Sequence, residues 1–205
     1  MVLIHLTMKQ LILASSSTYR AALLRKLQLP FVTDSPRIEE HQYPQESAAN
    51  MALRLAQEKA REVAQRHPNS LVIGSDQVPS LNGEVLKKPG NHTNAVSQLT
   101  KCSGQTVSFY TGLCLLDTAQ SGGCHSLVEQ FDVKFRVLTL RQIEHYLQRD
   151  QPYDCAGSFK AEGLGISLFQ SLSGRDPNTL IGLPLIALQE LLHNQGIDVL
   201  THQSP

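Results

Sequence analysis

The first clear pattern in the chain is a short apolar run, Leu11-Ile12-Leu13-Ala14, that passes directly into Ser15-Ser16-Ser17-Thr18-Tyr19-Arg20. A run of that length reads as a buried strand. The hydroxyl residues after it are helix N-cap types, and Ala21-Ala22-Leu23-Leu24-Arg25-Lys26-Leu27 continues at helical spacing. A strand, a polar turn and a helix N-terminus aim several backbone N–H groups at one place. Such a place attracts phosphate, and Arg20 adds a fixed positive charge to it.

The same alternation continues along the chain. Phe31 to Ser35 reads as a second strand, and Pro36 to Pro44 as a polar loop carrying Glu39-Glu40. A helix is predicted from Ser47 through Met51, Leu55 and Ala56 to Arg66, with Pro68 beyond its end. Leu71-Val72-Ile73-Gly74-Ser75-Asp76 is an apolar strand that ends in polar residues. Asn82-Gly83 is a tight-turn dipeptide, so Val78 to Leu86 reads as a small hairpin, closed by Lys88-Pro89-Gly90. Thr93 to Lys101 reads as a short helix. Gln105 to Asp117 and Val128 to Val137 read as paired strands joined through Gly122-Gly123. Leu140 to Arg149 is helical in pattern, Asp154 to Phe169 is glycine-rich, and Ile181 to Pro184 leads into a last helix ending before Gly196. Strands and helices that alternate, with one longer antiparallel section, predict an α/β protein with a mixed sheet. Residues 1–10 read as an N-terminal extension, with Met8 as an alternative start, residues 11–195 as one folding unit, and residues 196–205 as a tail.

Composition narrows the function. A chain of 205 residues can bury a proper core. Basic and acidic residues balance at 18 each, which is not the footprint of a protein that binds nucleic-acid polymers. No apolar stretch approaches the roughly 20 residues that cross a bilayer, and the N-terminus lacks a secretory signal pattern. Cys102, Cys114, Cys124 and Cys155 show no Cys-x-x-Cys spacing and read as reduced thiols of a cytoplasmic protein. The scattered histidines form no His-Glu-x-x-His pair, and no P-loop motif is present.

In open α/β sheets the ligand lies outside the carboxyl ends of strands, which makes Asp76 a candidate site residue. Taken singly, each candidate has a bland alternative. Asp76 can cap a turn, Glu40 can be a solvated loop charge, Lys59 an exposed helical position and Lys88 an ordinary loop cation. Taken together and in order, Ala14-Ser15-Ser16-Ser17-Thr18-Tyr19-Arg20, Ile38-Glu39-Glu40, Glu58-Lys59-Ala60, Gly74-Ser75-Asp76-Gln77, Lys87-Lys88-Pro89 and Gly182-Leu183-Pro184 form a series. That series closely resembles the Maf (septum-formation-like) family of nucleoside triphosphate pyrophosphatases, over nearly the whole span from Leu11 to Leu192. Thr18 stands where the family usually has Pro, and Lys87 where it often has Gly.

The resemblance implies a Maf/ITPase-like α/β fold, with an elongated mixed sheet, helices around it and a cleft between two lobes. It implies hydrolysis between the α- and β-phosphates of a small-molecule nucleotide, with Asp76 as proton acceptor. Ser15, Arg20, Lys59 and Lys88 would grip the triphosphate, and Glu40 and Asp76 would hold a divalent metal cation, Mg or Mn. Family members often pair, so a homodimer is expected, with no nucleic-acid polymer and no membrane as partner.

Tyr19, Gln77 and Glu162 resemble the positions that set base specificity in the family. The branch that cleaves dTTP and UTP carries Arg, Thr and Gln there. The branch that cleaves 7-methyl-GTP carries an aromatic residue (usually Trp), Gln and Glu. This chain has the second set, and Cys155-Ala156-Gly157-Ser158-Phe159-Lys160 and Gly174-Arg175-Asp176-Pro177-Asn178-Thr179-Leu180 also resemble that branch. Methylation at N7 makes guanine cationic, and a cation stacks on an aromatic face for about 1–2 kcal/mol when desolvated. A carboxylate accepts two hydrogen bonds side by side, which suits the N1–H and amino edge of guanine. The expected activity is therefore conversion of 7-methyl-GTP to 7-methyl-GMP and pyrophosphate, which would clear modified nucleotides. The alternatives are a dTTP/UTP pyrophosphatase of the same family and a non-catalytic nucleotide-binding regulator of cell division.

Overall fold

A computed structural model describes residues 9–119 and 123–201. The part of the predicted extension before Lys9, Gly122 of the predicted turn and the tail beyond Thr201 lie outside the described residues. The frame is one mixed sheet of β1 (Gln10–Ala14), β2 (Phe31–Asp34), β3 (Ser70–Leu81), β4 (Glu84–Val85), β5 (Thr106–Asp117), β6 (Cys124–Phe135) and β7 (Phe169–Gly174). The order across it is β2-β1-β3-β5-β6-β7, with β4 attached to β3. β1 runs parallel to β2 and β3, and every other pairing is antiparallel.

Period-two alternation divides the first three core strands between two layers. Leu11, Leu13, Leu71 and Ile73 face α1 (Thr18–Arg25) and α5 (Leu185–Asn194), whose leucines complete one cluster. Ile12, Ala14, Val72 and Cys114 face α2 (Ala48–Ala64), where Ala56, Ala60 and Val63 meet them. A third cluster lies toward the far end of the sheet. There α3 (His92–Cys102) and α4 (Leu140–Asp150) cover Val107, Phe109, Phe131, Val133 and Phe135. The Phe135, Phe159 and Phe169 rings meet edge to face within it, the arrangement their quadrupoles favour.

Two glycines set how closely α2 lies on the sheet. A Cβ on Gly74 would fall 2.1 Å from the Ala56 carbonyl oxygen, and one on Gly112 would fall 2.1 Å from that of Ala52. The helix backbone therefore rests directly on β3 and β5. The hydroxyl caps expected from sequence are present: Ser17 accepts from the Arg20 N–H at the start of α1, and Ser47 from the Asn50 N–H at the start of α2.

Three element expectations are corrected. β3 does not break after Asp76 but runs on to Leu81, because its ladder with β5 is unbroken from Leu71 to Ser80. β6 begins at Cys124 rather than Val128, since pairing with β5 extends to Leu116 opposite Cys124. Phe169–Gly174 is an additional strand, and Pro177–Ile181 an additional 3-10 turn, in a stretch for which no element is predicted. No helix among the described residues is long and apolar enough to cross a membrane.

Candidate active site

The site follows from unequal strand lengths. β1 ends at Ala14, opposite Gly74, whereas β3 continues. The next strand on that edge of β3 is β4, which pairs at Ser80 and Leu81. Between them the edge of β3 has no neighbouring strand, and a cleft of about 1040 Å³ opens there, lined by Asp76, Gln77, Val78 and Pro79. A gap beyond the carboxyl end of a parallel strand is where α/β sheets place ligands.

The expected phosphate and metal residues meet in this cleft. Ser15, Tyr19, Arg20, Glu40, Lys59, Asp76, Gln77 and Lys88 all line it. At its centre the Lys59 ammonium donates to Asp76 Oδ1 at 2.6 Å and pairs with Glu40 Oε1 at the same distance. Lys59 is 4 % exposed, so the bland reading of an exposed helical lysine does not hold for it. Three cations, Arg20, Lys59 and Lys88, line the cleft together with the two carboxylates.

Charge coupling follows the geometry. Burial pushes the Glu40 carboxyl up, but the hydrogen bond and charge of Lys59, helped by Arg20 and Lys88, outweigh it and leave Glu40 below the usual carboxylate range. Burial pulls the Arg20 guanidinium down, opposed by the charges of Asp76 and Glu40. Arginine ordinarily titrates so far above neutrality that it remains a cation.

The opposite face of β3 builds a second support that the sequence motifs did not assign. Arg20 Nε donates to the Gly182 carbonyl at 2.8 Å, and Ser75 Oγ lies 2.9 Å from the same oxygen. Gly182 has φ +111°, and a Cβ there would come within 3.3 Å of Arg20 Nε. The Gly182-Leu183-Pro184 motif thus brings an acceptor to Arg20. Gln77 Nε2 donates to the carbonyls of Thr179 and Leu180 at 2.7 and 3.1 Å, which fixes its amide orientation, because two carbonyl acceptors call for the NH₂ end. Buried Asp176 accepts from the N–H groups of Asn178 and Ile186 and ties this segment to the start of α5.

Tyr19 is 47 % exposed at the first turn of α1 and lines the cleft. Glu162 is exposed and is not among the residues lining the cleft. Its charge nonetheless contributes to the raised Cys155 thiol, after burial and Asp154, and Cys155 does line the cleft. Asp154, which sequence reasoning did not single out, lines the cleft beside Cys155.

Among the described residues no group of three or more His, Cys, Asp or Glu side chains could hold a metal ion. What is present is a two-carboxylate set. That set fits Mg²⁺ or Mn²⁺ arriving with a triphosphate, since Mg²⁺ is commonly held by one or two carboxylates plus substrate phosphate oxygens and waters.

Ordered motifs, a mixed sheet and a cleft built on paired charges define one family. The chain belongs to the Maf-like protein family, whose profile matches residues 10–195. It is 56 % identical over 190 residues to the 7-methyl-GTP pyrophosphatase of Nitrosococcus oceani, covering 93 % of this chain and 95 % of that one. It is 52 % identical over 197 residues to the 7-methyl-GTP pyrophosphatase of Colwellia psychrerythraea, covering 96 % and 98 % of the two chains. Among solved structures, a HAM1 protein from Coxiella burnetii is similar over 62 % of this chain and 73 % of its own, with a TM-score of 0.45 and 14 % identity.

Proposed function

We propose that this protein hydrolyses 7-methyl-GTP to 7-methyl-GMP and pyrophosphate, attacking the α-phosphorus with water. The observation that carries the reading is the Lys59 ammonium held between Asp76 and Glu40 in a cleft also lined by Arg20 and Lys88. The high identity to two proteins of that name over nearly their whole length supports the choice of substrate.

The residues divide the work. Lys59 engages Oδ1 of Asp76, so Oδ2 has the acceptor capacity to orient a water and take its proton. Arg20, Lys59 and Lys88 neutralise the departing pyrophosphate, and the Ser15 hydroxyl adds a polar contact at the end of β1. A divalent cation held by Glu40 and Asp76 would add charge neutralisation on the phosphate oxygens. Losing one such preorganised contact costs about 3–4 kcal/mol of transition-state stabilisation. Tyr19 offers a ring face to the methylated base, and Glu162 and Gln77 read its edge. The compartment proposed is the cytoplasm, with residues 11–195 as the catalytic unit and a homodimer as the assembly.

The test is a panel of GTP, 7-methyl-GTP, UTP and dTTP with Mg²⁺ or Mn²⁺, scoring pyrophosphate against orthophosphate. The highest kcat/KM is expected for 7-methyl-GTP, with pyrophosphate as product. Preference for UTP or dTTP would move the protein to the other branch. Binding without turnover under every metal would leave a nucleotide-binding regulator.

A further inference from the structure

Outside the cleft, two cysteines on neighbouring strands stand almost in bonding range. Cys114 on β5 and Cys124 at the start of β6 have their Sγ atoms 3.3 Å apart. The register explains the approach. Cys114 pairs with Ser126, two residues along from Cys124, so the two side chains share one face of the sheet. That face is the one under α2: Cys114 packs with Ala56 and Ala60, and Gln57 of the helix donates to Ser126 Oγ at 2.7 Å.

Their surroundings differ sharply. Cys114 is fully buried, whereas Cys124 is exposed at the strand end. Burial pushes the Cys114 thiol up, and the neighbouring Cys124 sulfur pushes it further in the same direction. A disulfide has an S–S length of about 2.05 Å, so closing the pair requires a movement of only about 1 Å.

We propose that Cys114 and Cys124 are a two-cysteine oxidation site, entered only through Cys124, that low-molecular-weight disulfides convert into an internal disulfide. The Cys124 thiolate attacks one sulfur of the oxidant, forms a mixed disulfide and releases one thiol. The Cys114 sulfur then attacks the Cys124 sulfur, gives up its proton and expels the second thiol. One S–S bond of the oxidant is broken and one within the protein is formed. The two cysteines lose two electrons, and the oxidant leaves as two thiols carrying the two protons.

Burial asymmetry makes the order of events readable. The full-length protein is incubated with oxidised glutathione, quenched with an alkylating agent, unfolded and mapped by mass spectrometry, which reads each of its 4 cysteines separately. The native sequence is expected to yield a Cys114–Cys124 linked peptide with no retained glutathione, restored to two thiols by dithiothreitol. Cys124→Ser is expected to leave Cys114 unmodified, because the oxidant cannot reach it. Cys114→Ala is expected to trap one glutathione on Cys124. The proposal is overturned if the native sequence accumulates glutathione on Cys124 while Cys114 remains free, or if Cys114 is oxidised equally well in Cys124→Ser. Circular dichroism of each variant before oxidation establishes that it is folded, and Cys114→Val is the substitute if the alanine variant is not.

Discussion

Arg20 and Gly182, far apart in the chain, are joined by a hydrogen bond of 2.8 Å from the guanidinium Nε to the glycine carbonyl. The bond uses Nε, which leaves the two terminal nitrogens for the phosphate contact proposed above. Backbone geometry at residue 182 therefore sets where the Arg20 cation points.

Gly182→Ala tests that relationship. An alanine at φ +111° is strained by about 1–3 kcal/mol, and its Cβ meets the Arg20 guanidinium. The melting temperature is expected to fall, and kcat/KM to fall further than the stability change explains. Arg20→Lys is expected to lose kcat/KM with little change in melting, since the ammonium cannot reproduce the planar fork.

Gly74→Ala acts through α2. Its Cβ would overlap the Ala56 carbonyl and crowd Ala60, so the helix must lift from β3. The expected cost is at least the upper end of the about 1–3 kcal/mol typical of overpacking, read by denaturant melts. Turnover should fall along with it, because Lys59 rides on the same helix.

Asp76→Asn separates fold from chemistry. Lys59 retains Glu40 as its charge partner, so the melting temperature is expected to change little. Removing a general base typically costs about 10²–10⁴-fold in rate, and pyrophosphate release should fall by at least that range. Normal product formation would remove Asp76 from the mechanism.

Base discrimination is read as a ratio. Tyr19→Ala should reduce the kcat/KM preference for 7-methyl-GTP over GTP by the worth of a desolvated cation–π contact, about 1–2 kcal/mol. Glu162→Gln should reduce the same ratio while sparing plain GTP. An unchanged ratio in both variants would remove stacking and carboxylate pairing from the account.

Asp34 gives a pH signature remote from the cleft. Hydrogen bonds from Arg66 and His67 hold its carboxyl down at about 2. A depressed carboxyl stabilises the fold above its unfolded value of about 3.9 and loses that contribution as pH falls toward 2. Its pairs are partly exposed, so the contribution is about 0.2–1 kcal/mol. Asp34→Asn should lower stability by that amount at neutral pH and leave it unchanged near pH 2, which flattens the acid limb of a pH–stability curve.

Much of this was legible in the sequence, for identifiable reasons. β1 and β3 carry continuous apolar runs because both of their faces are buried, α2 carries a helical periodicity because one of its faces is, and the ordered motifs mark the charged residues at the centre of the cleft. Phe169–Gly174 was missed because only Phe169 is buried, and an exposed edge strand has no alternation to read. The roles of Ser75 and Gly182 were missed because one acts through a hydroxyl facing away from the cleft and the other through its backbone oxygen. Both stand inside ordered motifs, but neither carries a charge that would reveal its role. Lys59 reads as an exposed lysine when taken alone because its burial is matched by carboxylates from other elements, Glu40 and Asp76, which its helical spacing does not reveal.

Gln77 has spent both of its amide hydrogens on the main chain of Thr179 and Leu180. In the base-reading role proposed above, it would have only lone pairs to present. It would act as a one-way reader, open to rings that offer hydrogen along the facing edge and closed to those that bring oxygen there, with its polarity locked by the main chain of two residues a hundred positions on.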